Sequence, residues 1–182
     1  IGNTAIRVEE FQPDRLNIRS EFSTEQKKGW IDPAGLKAKI YLKTLFGTDA
    51  VGNTVRGTLR LSPRNLVFES YLDYYFSDPT KANESYSESL GELKTNEKGE
   101  AEFDLGLSNY GSSTYLMTFI AEGFEQSSGK SVATTINTTV SSLPYVLGYK
   151  PDSDLTFIRQ GNLPEVNIIA LNPDLETLKV ED

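Results

Sequence analysis

The stretch LKAKIYLK sets Leu36, Ala38, Ile40 and Leu42 on one side of an extended chain. Lys37, Lys39, Tyr41 and Lys43 take the other side. Side chains alternate across a strand, so this spelling demands a strand with one face on a core and one in water. The pattern returns in VRGTLRL, with Val55, Leu59 and Leu61 opposite Arg56, Thr58 and Arg60. It returns again in AEFDL, with Ala101, Phe103 and Leu105 opposite Glu102 and Asp104. YLMTFIA, residues 115–121, is apolar on both faces and reads as a central, covered strand. SVATTINTTV, residues 131–140, is rich in Thr and Val and reads as an edge or half-exposed strand. No long segment carries the helical period of about 3.6 residues. FGTDAVGN (46–53), TNEKGE (95–100), NYGSS (109–113) and QSSGK (126–130) read as hairpin turns between strands. Together these predict an all-β fold, an antiparallel β-sandwich of immunoglobulin or fibronectin III type.

Between Pro63 and Leu93 the alternation breaks, and the stretch reads as an insertion (63–93) with partial structure. It holds the densest aromatic run, YLDYYF, with Tyr71, Tyr74, Tyr75 and Phe76. A second pattern sets the domain borders. Phe11-x-Pro13-Asp14 returns as Tyr149-x-Pro151-Asp152. Apolar alternation follows each, at Leu16 and Ile18, then at Leu155 and Phe157. The repeat reads as a junction between like units. Residues 1–12 are then either the last strand of a preceding domain or the first strand of the sandwich. The sandwich runs over 13–141, and 142–182 is a linker with the opening strands of a next, partial unit. The chain starts at Ile1 without Met or a leader, which reads as a piece of a longer protein.

Two zeros exclude most catalytic classes. Among 182 residues there is no His and no Cys. That removes the Ser-His-Asp triad, the Cys-His pair and the usual zinc ligands. The net charge of −8 argues against nucleic acid as a partner, because phosphate binding wants a basic face. No apolar run approaches the roughly 20 residues of a membrane-crossing helix, so no direct membrane insertion of this segment is expected.

Five longer phrases add to this. RVEEFQPDRLNI, GLKAKIYLKTLFGTDAVGNTVRGTLRLSP, LGELKTNEKGEAEFDLGL, TYLMTFIAEGFEQSSGKSV and SSLPYVLGYKPDSDLTFI with VNIIALNPDL closely resemble the bacterial alpha-2-macroglobulins. The resemblance covers nearly the whole chain in order. It implies a macroglobulin-domain sandwich from a protein built of such domains in series. It also implies a protease trap, which rearranges after cleavage of a bait region and holds proteases through a thioester. The thioester needs a Cys joined to a Gln side chain, and this segment has none: Ser23 stands two residues before Glu25-Gln26. The resemblance therefore implies a non-catalytic scaffold segment, with no cofactor and no metal. Its implied partners are neighbouring macroglobulin domains and, through the full-length protein, proteases. Its implied location is periplasmic, in a parent that is often lipid-anchored.

Candidate sites are few. Tyr71, Tyr74, Tyr75 and Phe76 read either as packing that caps the sandwich or as an interdomain or ligand contact. The ligand reading supports an alternative function, an immunoglobulin-like binding or adhesion module for glycan or protein. Asp73, Asp78, Glu84, Glu88, Glu92, Asp152 and Asp154 read as turn and surface acids, since calcium needs about six to eight converging oxygens. SSGKS, residues 127–131, spells a Ser–Lys pair but lies in a turn too exposed to depress a lysine pKa. Asn83 and Asn137 open glycosylation triplets by spelling alone.

Overall fold

The computed structural model describes residues 15–78, 80, 84–110, 113–126, 128–152 and 165–179. The expected strand in 1–12, the first junction at Pro13-Asp14 and the alternation at Leu155 and Phe157 lie outside these residues. The strands are β1 (Leu16–Phe22), β2 (Lys37–Thr44), β3 (Thr54–Pro63), β4 (Tyr75–Phe76) and β5 (Tyr86–Lys94). They continue with β6 (Glu100–Asp104), β7 (Tyr115–Phe124), β8 (Ser131–Val140), β9 (Val146–Pro151) and β10 (Val166–Leu171).

Seven of these strands form the expected sandwich. One sheet has the order β1-β2-β6 and the other β5-β3-β7-β8, with every pairing antiparallel. The alternating residues meet between the sheets: Ala38, Ile40 and Leu42 face Val55, Leu59 and Leu61, with Phe103 and Phe119 between them. The two rings sit 5.7 Å apart. β7 is central and β8 an edge of its sheet, as their composition suggests. The β8 side is closed by β1, where the Ser20 hydroxyl donates to Thr134.

Three of the four turns read as hairpins are not hairpins. Only 126–130 joins paired neighbours, β7 and β8, with Glu125 N–H donating to the Lys130 carbonyl at 2.8 Å. The connections β2–β3, β5–β6 and β6–β7 each cross from one sheet to the other. Turn residues mark where the chain reverses, but distant packing decides which sheet takes the next strand. Buried Thr95 braces two of these crossings at once. Its hydroxyl donates to the Ala50 carbonyl at 2.6 Å and accepts from Asn53 N–H at 2.9 Å.

The insertion is shorter than its sequence suggests. Pro63 ends β3, and Tyr86–Lys94 is β5, paired with β3 from Leu61↔Tyr86 to Thr54↔Lys94. β5 is a largely exposed edge spelled YSESLGELK, with only Tyr86 and Leu90 packed against the core, so its apolar face is hard to read. Only residues 64–85 separate β3 from β5. Part of that connection, β4, joins a third sheet of order β10-β9-β4. This sheet sits at the end of the sandwich where β1, β3 and β8 finish.

Candidate functional site at the seam with the C-terminal sheet

The third sheet is covered on one face. Phe76 and Gly148 are opposite each other across β4 and β9, and Ile169 lies opposite Gly148 across β10. With Val146 and Leu171 these residues pack on Trp30, Leu66 and Phe68, a second core separate from that of the sandwich. Trp30 arrives on the long β1–β2 connection and is only 1% exposed. Its indole N–H donates to the Leu143 carbonyl at 2.8 Å. The flanking backbone is stitched on both sides: Ile31 N–H donates to Thr139 O at 2.9 Å, and Gly29 N–H to Pro173 O at 2.9 Å. One connection thus bonds to both the sandwich and the C-terminal segment.

The aromatic run feeds this core. Phe68 and Phe76 meet edge to face at 5.0 Å, and Phe68 lies 6.1 Å from Trp30. Tyr71 and Tyr74 are each 6.4 Å from Phe76. The Tyr71 hydroxyl donates to the Leu175 carbonyl at 3.3 Å. Tyr75 points the other way. It is 61% exposed and lies 5.4 Å from Tyr149 on the outer face. The alternation of a strand explains the split: neighbours on β4 take opposite faces.

Charges rim the seam. Lys150 on β9 pairs with Asp73, 77 residues away in sequence, and lies over the Tyr74 ring at 5.8 Å. The hydrogen bond and charge of Asp73 hold the Lys150 amine above the usual lysine range. Lys150 in turn holds the Asp73 carboxyl below the usual carboxylate range. Lys27 and Asp174 form a second cross-seam pair at 2.8 Å. Asp78 anchors the insertion: one carboxylate oxygen accepts from Thr80, and the other accepts Thr114 N–H at 2.9 Å. Burial pushes its carboxyl up, but the bonds from Thr80 and Thr114 outweigh this and hold it low.

The other acids are scattered. Glu92 pairs with Arg56 at 2.7 Å, and Glu88 accepts from Tyr110. Glu84 lies beside the Tyr86 hydroxyl. Asp152 donates its backbone N–H to Glu165, and Asp154 lies outside the described residues. Among the described residues, no group of three potential ligands could hold a metal ion. In the SSGKS turn, Ser127 lies outside the described residues, while Ser128 donates to Glu125. In that turn the Lys130 backbone N–H donates to the Ser128 hydroxyl at 3.3 Å, a bond of the turn itself. Sequence reasoning missed Trp30, Phe68, Gly148 and Lys150. Trp30 carried one signal: it is the single Trp of the chain.

A family model described as the bacterial alpha-2-macroglobulin MG5 domain matches residues 18–141. The chain belongs to that family. The match ends one residue beyond β8, so the seven-stranded sandwich is the MG5 domain, and β9 and β10 lie past it. The MG5 chain is 37% identical over 184 residues to an alpha-2-macroglobulin of Pasteurella multocida (strain Pm70), covering 100% of this chain and 10% of that protein. It is 36% identical over 176 residues to an alpha-2-macroglobulin of Rickettsia conorii, covering 97% of this chain and 9% of that protein. The chain thus spans about a tenth of the length of these curated relatives. Two solved structures share the fold. Trypsin-activated alpha-2-macroglobulin from Escherichia coli superposes with a TM-score of 0.60 at 22% identity, covering 78% of this chain and 10% of that one. The native conformation of the E. coli protein gives 0.61 at 19% identity, covering 93% and 11%.

Proposed function

We propose that the MG5 chain is a non-catalytic scaffold segment of a protease-trapping alpha-2-macroglobulin. Such a protein is a broad-spectrum endopeptidase inhibitor that holds proteases after bait cleavage. The segment's task is mechanical: to carry geometry from one domain to the next without deforming. The carrying observation is the pairing of β4 with β9. A strand from inside the sandwich completes a sheet that lies beyond it. Hydrogen-bonded ladders fix orientation more tightly than a flexible linker can. Its partners on this reading are neighbouring macroglobulin domains and, through the parent, proteases. On this reading the parent's place is the periplasm.

The test is an inhibition assay. The isolated chain, titrated against trypsin and elastase, leaves proteolysis of a large substrate unchanged. The parent protein blocks it, and Gly148→Val in the parent weakens that block. Reproducible inhibition by the isolated chain would overturn the scaffold reading. The exposed pair Tyr75 and Tyr149 favours one second reading, a glycan- or protein-binding face. A glycan array with the chain and its Tyr75→Ala variant decides it: a signal lost on substitution supports binding.

A further inference from the structure

The end of the sandwich away from the seam carries a different surface. β2 finishes there, β3 starts, and β7 turns into β8. Leu45 is 57% exposed, Val51 51% and Phe46 96%. Single exposed apolar residues are ordinary, but three on one connection around one groove are a patch. The groove is open, holds about 730 Å³ and is lined by Arg15, Leu45, Phe46, Val51 and Glu125 among others.

Phe46 is held out by a braced turn. Thr44 N–H donates to Thr48 O at 2.8 Å, and the two threonine hydroxyls are 2.7 Å apart. Gly47 takes φ +82, a conformation that other residues adopt at a cost, and its N–H donates to Thr44 O at 2.9 Å. Gln126 donates to the Val51 carbonyl at 3.2 Å on the far wall. The braced turn keeps the Phe46 ring in water, where its apolar surface goes unburied unless something covers it.

The chain path says what comes there. Leu45 N–H donates to the Arg15 carbonyl at 3.0 Å, so the polypeptide enters the sandwich beside the patch. Everything the parent carries before Arg15 is tethered at this end. The relatives are about ten times as long as this chain. We propose that this patch docks the domain preceding MG5 in the same parent chain. That domain offers an apolar socket for Phe46. MG5 is then clamped at both ends, by the patch at its entry and by the seam at its exit. The inference rests on the scaffold reading.

The parent protein carrying p-benzoylphenylalanine in place of Phe46 tests this by photo-cross-linking. A matched probe at exposed Thr135 serves as the control. The expected product is intramolecular, joins position 46 to residues before Arg15, and exceeds the Thr135 yield several-fold. A cross-link between two copies, or a yield no higher than at Thr135, overturns the proposal. Hydrogen exchange gives the second arm. Residues 44–53 are expected to exchange roughly tenfold more slowly in the parent than in the isolated chain. Phe46→Ser in the parent abolishes that protection, while the melting temperature of the isolated chain stays unchanged because Phe46 is in water. Equal exchange in parent and isolated chain overturns the proposal. The inhibition assay on the isolated chain judges the scaffold reading separately, since neither arm here depends on its outcome.

Discussion

The Phe76 ring occupies the space that a Cβ on Gly148 would need. The two residues face each other across β4 and β9, and the ring reaches the second core by passing over the bare glycine backbone. Gly148 has an ordinary extended conformation, so its role is clearance and not backbone freedom.

Gly148→Val therefore forces Phe76 off its seat. Overpacking of this kind costs about 1–3 kcal/mol. Faster hydrogen exchange is expected in 146–151 and 166–171, with β3 and β7 unchanged. If the variant exchanges like the parent sequence, the seam is looser than the geometry says.

Trp30 offers a reporter as well as a target, because no other Trp contributes to its fluorescence. Trp30→Ala opens a cavity under the third sheet and is expected to destabilise by about 3–5 kcal/mol. Trp30→Phe keeps most of the volume but removes the donor to Leu143 O, at about 1–3 kcal/mol. Urea titrations followed by circular dichroism separate the two magnitudes.

Thr95→Val removes a hydroxyl that both donates and accepts at the crossings between the sheets. The methyl fills the same space, so the loss is polar: Ala50 O and Asn53 N–H are left buried without their partner. A cost of about 1–3 kcal/mol follows. It should appear as a lower midpoint of thermal unfolding, with the Trp30 environment intact below the transition.

These three sites show which parts of the fold the amino acids announce. β2, β3 and β6 are readable because each buries every second residue, and a period of two has one explanation; β7 is readable as a run apolar on both faces. β5 is hard to read because only Tyr86 and Leu90 pack against the core, while Ser87, Glu88, Glu92 and Lys94 are exposed and a bulge opposite Gly57 and Thr58 shifts its register. The sheet crossings at 46–53, 95–100 and 109–113 look like hairpins because their glycines and asparagines encode reversal alone. The aromatic run is visible as a run, but its division is not. Whether Phe76 goes in and Tyr75 out depends on β9, which is far along the chain. The partner that makes Tyr71–Phe76 a seam is tertiary, so no local pattern could name it.

The seam should respond to acid. Asp73 and Asp78 both have carboxyls held below their ordinary value of 3.8. A depressed carboxylate contributes stability above its unfolded pKa and loses it as pH falls through the folded one. Lys150 is raised above its ordinary 10.5, so its contribution holds below that value and is lost as pH rises through the folded pKa. Trp30 emission should therefore be flat between these limits and shift red below pH 3.8. Asp73→Asn should flatten the part of the acid limb due to Lys150, and salt should weaken that part because the pair is exposed. A Trp30 signal that titrates near neutral pH would contradict the assignment.

The central claim is that the sandwich and the C-terminal sheet move as one body within the parent protein. Spin labels at exposed Glu97, on the sandwich, and exposed Asn167, on β10, span the seam. Double electron–electron resonance in the parent alpha-2-macroglobulin, before and after protease treatment, reads the distance between them directly. One narrow distribution, unchanged by the protease, is the expected result. A broad distribution, or a shift on cleavage, would show that the seam is a hinge.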